Sequence, residues 1–287
     1  MSTLAIGPAA LGITLDADAS VDDDGWLERA LHVPVGLDGP RGILQGGVAA
    51  SLPIDVARSV DRFGAPLTKV RSRLHAPTLV GHTYRARVRA ASGISCHEVE
   101  IRDADRLLIS AQVELAGHAT ASHAHDLTDL SRMPLPEPRP QVRWSDCWVC
   151  GARSGHPRAL HLYPGWRDDE TVVCGWFPAP WSAREGTQVV DELVVSAVLD
   201  CPTAWACRDA VDAMGMDGPL LAGFDLHVLR DAPVGELLRA VARFDGADGR
   251  RLRVRGALVD EDGVAHAVAG ALHVAVPDLS AFTGPAS

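Results

Sequence analysis

The sequence predicts an α+β fold made of two similar units in tandem, each a curled antiparallel sheet wrapped around one central helix. Three observations predict it. A glycine pair, Gly46-Gly47, opens an apolar segment with helical spacing, and a weaker copy of that segment recurs at residues 191–207. Segments alternating charged and apolar residues at period two follow each copy, the mark of sheets with one face on a core. Helix first and then consecutive strands, without strand–helix–strand alternation, is an α+β order.

Taken in order, ITLDA and ALHVPV flank Asp22-Asp23-Asp24-Gly25. A DG turn between strand-like pieces predicts a hairpin. The loop GLDGPRG leads into the central segment, where apolar residues fall at 48, 49, 50, 52, 54, 56, 57 and 60. That spacing fits a mostly buried helix, which Pro53 should kink or begin irregularly. Strands are predicted at 68–77, 82–90, 96–103 and 106–116, joined by turns at ASG and DAD. In the first of them Lys69, Arg71 and Arg73 alternate with Val70, Ser72 and Leu74.

Periodicity is lost from 118 to 143, and Pro134, Pro136, Pro138 and Pro140 fall within seven residues. This predicts an extended linker between domains at 1–117 and 144–287. The second domain repeats the plan: a strand at 171–178, a helical segment at 189–210, then strands from 218 to the end. Laying Gly46-Gly47 on Asp191-Glu192 sets Asp55 on Asp200 and Ser51 on Ser196 without a gap.

Composition excludes several classes. The formal net charge is −10 and no stretch is densely basic, so nucleic acid is not an expected partner. No apolar run reaches the length of a membrane span. No basic region precedes an apolar core at the start of the chain, so a cytoplasmic location with reduced thiols is expected. Cys147-x-x-Cys150, with His156, His161 and Cys174, offers zinc-type ligands. A second pair at ribbon spacing is lacking, however, so structural thiols are expected and no metal or organic cofactor. His118, His123 and His125 are expected to be solvated in the linker.

LQGGVAASL, TKVRSRLHAPTLVGHTYRARVRA and ISCHEVEIRDADRLLISAQVELA resemble the first half of double-hotdog acyl-CoA thioesterases. CWVCG at 147–151 and LDCPTAWA at 199–206 resemble phenylacetate-type thioesterase relatives. The resemblance implies a tandem double hotdog that hydrolyses an acyl thioester, on CoA or a carrier protein. It leaves room for pairing into a larger oligomer. It also implies a helix N-terminus that binds the thioester carbonyl and a carboxylate on the facing helix that acts as base or nucleophile. Two rivals stand beside it. One is a non-catalytic acyl-binding or scaffold protein. The other is a hotdog dehydratase or hydratase, which needs a histidine that neither central helix carries.

Within that frame, bare backbone N–H groups at a helix start could hold a forming oxyanion, and Gly46 and Gly47 admit close approach. A tight turn entering a buried helix is the plainer reading of the same pair. The second helix begins with Asp191 and Glu192, acids that cap a helix and repel an oxyanion. One site is therefore expected, pairing Gly46-Gly47 with Asp200 if the helices pack antiparallel. Asp55 would then face Asp191 and Glu192. Asp200 within an apolar run could equally be a structural carboxylate. Thr203 could position a water or bond its own backbone, and Gln45 could donate to the carbonyl or line the loop. Lys69, Arg71 and Arg73 could bind CoA phosphates or form the wet face of a sheet. Trp205 could line an acyl tunnel or pack the core.

Overall fold

The computed structural model describes residues 3–91, 95–120, 125–129, 133–139 and 143–282. The described strands form one antiparallel sheet. Before the first long helix come β1 (Thr3–Ala5), β2 (Thr14–Asp16), β3 (Ser20–Val21) and β4 (Leu27–Val33). After it come β5 (Lys69–Leu74), β6 (His82–Ala90), β7 (Cys96–Asp103) and β8 (Arg106–Glu114). The second half holds β9 (Gly165–Trp166), β10 (Thr171–Trp176), β11 (Gly218–Val228), β12 (Leu238–Asp248), β13 (Arg251–Asp260) and β14 (Ala265–Val276). The predicted first hairpin is present: β3 pairs with β4, and the Asp22 carboxylate accepts the N–H groups of Asp24 and Trp26.

The sheet runs β4–β6–β7–β8–β5 in the first half and β11–β14–β13–β12–β10 in the second, with β5 hydrogen-bonded to β11. Counting from the strand before each long helix, both halves read first, third, fourth, fifth, second. The halves therefore meet through their second strands, in a register that sets Arg73 opposite Gly223 and Lys69 opposite His227. Alternation decides which side faces the helices. In β5, Val70 and Ser72 are buried, while Lys69, Arg71 and Arg73 point to the outer face.

Against the inner face lie α1 (Gly46–Arg58) and α3 (Glu192–Ala206). The first packs on β5–β8 and the second on β10–β14. They cross antiparallel, since Gly47 rests on Ser196 and Ala197 while Arg58 at the other end reaches Glu192. A Cβ on Gly47 would stand 2.3 Å from the Ser196 carbonyl oxygen and 2.8 Å from the Ala197 Cα. The glycine is thus required by backbone-to-backbone contact between helices. Ser51 Oγ donates to the Gly47 carbonyl and Ser196 Oγ to the Glu192 carbonyl, each one turn back.

Two local expectations need correction. Pro53 does not sit in the first turn of α1 but lies inside the helix. The helix runs through it, and the Ser72 hydroxyl donates to the Ala50 carbonyl at 2.6 Å, tying the helix to β5 beside the proline. The second helix begins one residue later than the alignment on Asp191 implies, because Asp191 is its N-cap, accepting the Leu193 N–H at 2.8 Å. A short α4 (Arg208–Ala213) follows it.

Between the halves lies α2 (His125–Thr128), while His123 falls outside the described residues. His118 faces Asp231 at 3.3 Å. Within residues 133–139, the Pro134 and Met133 carbonyls accept from Arg167 and Arg239 of the second half. No described helix is long and apolar enough to cross a membrane.

Gly47→Ala should lower stability by roughly 1–3 kcal/mol, because two helix backbones would have to part. Chemical denaturation checks it; a variant as stable as the wild type would show that the crossing is not close-packed.

Candidate functional site at the helix crossing

At the crossing, the first turn of α1 and the middle of α3 share a cavity of about 250 Å³. Its walls come from the loop before α1, the end of β5, β11, β14 and the Cys147–Cys150 segment. They are mostly apolar, and one carboxylate, Asp200, lies among them. Asp200 is 6% exposed. Its Oδ2 accepts the Gly47 N–H at 2.9 Å and the Gln45 Nε2 at 2.6 Å. Oδ1 has no partner among the described residues. Burial pushes the carboxyl up to about 7, against the Gly47 bond, which favours the charged form.

Gln45 is fixed from both ends of its amide. Oε1 caps α1 by accepting the Val48 N–H at 2.9 Å, so Nε2 must face α3, where it meets Asp200 and the Ala197 carbonyl. The Gly46 N–H, by contrast, donates to no group among the described residues. A Cβ on Gly46 would sit 2.8 Å from Asp200 Oδ2, so the second glycine-specific position keeps the carboxylate in place.

The structure thus brings Gln45, Gly46, Gly47 and Asp200 together and redistributes their expected tasks. Gly47 spends its amide on the carboxylate, and the Gly46 N–H is left without a partner among the described residues. Thr203 does not reach the cavity: its hydroxyl donates to the Asp200 carbonyl at 2.7 Å and sits 2.9 Å from His273 Nε2. Trp205 does line it, packed against Trp144 with ring centroids 4.5 Å apart and planes tilted by 46°. Lys69, Arg71 and Arg73 are remote, on the outer face of β5. Lys69 pairs with Glu114 at 2.9 Å and Arg71 with Asp225 at 3.3 Å, so their row is sheet surface and not part of this site.

Sequence reasoning missed His75, Thr78 and His273, which also line the cavity. Nothing in a strand's alternation marks which inward residue meets a cavity at the seam of two halves. Burial pushes His273 down to about 3, so its ring is neutral.

The opposite end of the crossing is closed by charge. Asp55 accepts the Gly7 N–H at 2.5 Å and pairs with Arg58 at 3.0 Å. Arg58 and Arg184 each hold Glu192 Oε1 at 2.6 Å. Burial alone would raise the Glu192 carboxyl, but the two arginines hold it below its ordinary value. Asp191 gets no such partner. Burial, with Asp55 and Glu192 adding repulsion, pushes it up to about 8.

Similarities to known proteins can be set against this geometry. No protein-family model matches the chain, and no curated protein matches it in sequence. Solved structures match its fold over 90–92% of the chain. An acyl-CoA thioesterase II, TesB2, from Mycobacterium marinum is 11% identical, covers 92% of this chain and 98% of its own, with a TM-score of 0.57. A protein of unknown function with a hot dog fold from Alicyclobacillus acidocaldarius is 12% identical over 92% and 97%, with a TM-score of 0.59. The dehydratase domain of PpsC from Mycobacterium tuberculosis, in complex with C12:1-CoA, is 16% identical over 90% and 97%, with a TM-score of 0.60. The chain has the hotdog fold these proteins share, and at such identities the likeness extends to fold alone.

The Asp191 carboxyl sits above its unfolded value of 3.8, so the folded chain holds a proton there that the unfolded chain releases. Stability should therefore fall as pH rises from about 4 to about 8. Asp191→Asn keeps the cap and should flatten that slope, gaining roughly 1–3 kcal/mol at the upper end. Urea melts across that range check it; an unchanged slope would contradict the assignment.

Proposed function

We propose that the chain is a tandem double hotdog that hydrolyses an acyl thioester, carried on CoA or on a carrier protein, at one site between its two central helices. The observation that carries this reading is the Asp200 carboxylate. It lies in an apolar cavity, bonded across the helix crossing to the Gly47 N–H and the Gln45 amide. Beside it, Gly46 at the α1 N-terminus lines the cavity with no partner for its N–H among the described residues, and that N–H would hold a carbonyl oxygen as it gains charge.

In this mechanism the thioester carbonyl enters the cavity with its oxygen on the Gly46 N–H. Asp200 takes a proton from water as the water oxygen attacks the carbonyl carbon. The tetrahedral intermediate collapses, the C–S bond breaks, and the thiol leaves with the proton. Asp200 could instead attack directly, forming an anhydride that water then opens. Gln45 holds the carboxylate oxygen that does not react. The apolar walls, Trp205 among them, receive the acyl group.

The dehydratase reading has a structural neighbour in its favour. Dehydration needs a second titrating group opposite the acid, and the residue in contact with Asp200 is Gln45, whose amide does not titrate. The cavity histidines are engaged elsewhere, His273 with Thr203 and His75 with Ser110. The hydrolase reading is therefore preferred.

A panel of acyl-CoAs, followed by free thiol release, tests the proposal. Turnover is expected for at least one acyl class. Asp200→Asn should lower kcat by at least about 100-fold, while Asp55→Asn stays within about threefold. Equal losses would end the one-site reading. Binding without thiol release would favour an acyl-binding protein, and conversion of hydroxyacyl to enoyl thioesters a dehydratase.

A further inference from the structure

Beside Asp200 the structure gathers three thiols that spacing alone does not pair. Cys147 and Cys150 come from the segment before the second half. Cys201 comes from α3, one residue beyond Asp200. Their sulfurs all lie within 4.8 Å of one another, buried, and all three residues line the cavity. The expected companions are elsewhere. Cys174 is buried on β10 outside the cluster, and His156 packs against Trp148.

Two features distinguish this cluster from ordinary buried cysteines. The first is its dimensions. Thiolates bound to zinc at about 2.3 Å in a tetrahedron stand about 3.8 Å apart, and Cys147 Sγ lies 3.8 Å from Cys201 Sγ. The second is the direction of the hydrogen bonds. Trp205 Nε1 donates to Cys150 Sγ at 3.3 Å, and Gln45 Nε2 approaches Cys201 Sγ at 3.7 Å. N–H groups aimed at sulfur stabilise thiolate character. The isolated Cys207 does the opposite, its thiol donating to the Ala204 carbonyl. The turn that presents Cys147 and Cys150 closes on Gly151, where a Cβ would stand 2.4 Å from the Ser145 carbonyl oxygen.

We propose that Cys147, Cys150 and Cys201 form a three-thiolate site for a thiophilic divalent cation of the zinc and cadmium type, with its fourth position open to the cavity. No other Cys, His, Asp or Glu among the described residues completes the set, so water or another small ligand from the cavity fills that place. The ion would tie the Cys147–Cys150 segment to α3 next to Asp200. The site stands independently of thioester hydrolysis.

The test uses the whole chain, purified anaerobically with reductant, stripped with a chelator and given one equivalent of zinc or cadmium. X-ray absorption at the zinc edge should show three sulfur neighbours and one lighter atom. Cadmium should raise a thiolate-to-metal absorption band saturating at one ion per chain. Cys201→Ser should weaken binding by more than about 100-fold, whereas Cys174→Ser, which also removes a buried thiol, should leave it unchanged. Fewer than three sulfurs in the wild-type spectrum, or no saturable band, overturns the proposal even if Cys201→Ser does not fold. Equal loss in Cys174→Ser overturns it as well.

Discussion

The structure depends on how closely α1 and α3 can approach. Gly47 has no Cβ, and the backbone of α3 occupies the space one would fill. Only at that separation can Asp200, projecting from the middle of one helix, accept a hydrogen bond from the first turn of the other. A first-turn N–H has no partner within its own helix. A buried carboxylate is costly without donors. Each thus answers the other's unmet need, and the bond fixes where the cavity's one carboxylate stands.

The two ends of the crossing differ in kind. Asp55 and Asp200 align in sequence, yet their surroundings are unlike. Asp55 is bound by a backbone N–H and an arginine, and Glu192 beside it is bracketed by two arginines. Charges paired this way are spent on structure. Asp200 has neutral donors only, both on one oxygen, and faces apolar walls. Burial raises the basicity of Asp200 against the pull of its Gly47 bond, whereas two arginines hold Glu192 below its ordinary value.

Much of this was legible in the residues. Helical spacing after Gly46-Gly47 and period-two alternation in the strands located the main elements, since both patterns follow from which face is buried. The match of Asp55 to Asp200, taken with antiparallel packing, foretold that Asp200 would meet the glycine pair. Less legible was what depends on distance across the crossing. Gly47 turned out to meet a backbone before any ligand, so its amide went to Asp200. Thr203 lies on the face of α3 toward β14 and found His273. The Lys69 row faces outward because its neighbours Val70 and Ser72 must face in. Cys201 could not be matched to Cys147 by spacing, because the fold alone brings residues from a loop and a helix together.

The central claim is that the Gly46 end of the crossing, and not the Asp55 end, receives the reacting carbonyl. A crystal structure with a CoA ketone analogue, whose methylene replaces the thioester sulfur, tests it most directly. The result expected is the ketone oxygen within hydrogen-bond distance of the Gly46 N–H, its carbonyl carbon beside Asp200 and its acyl chain against Trp205. An analogue seated at the Asp55 and Glu192 end, or on the outer face of β5, would contradict it.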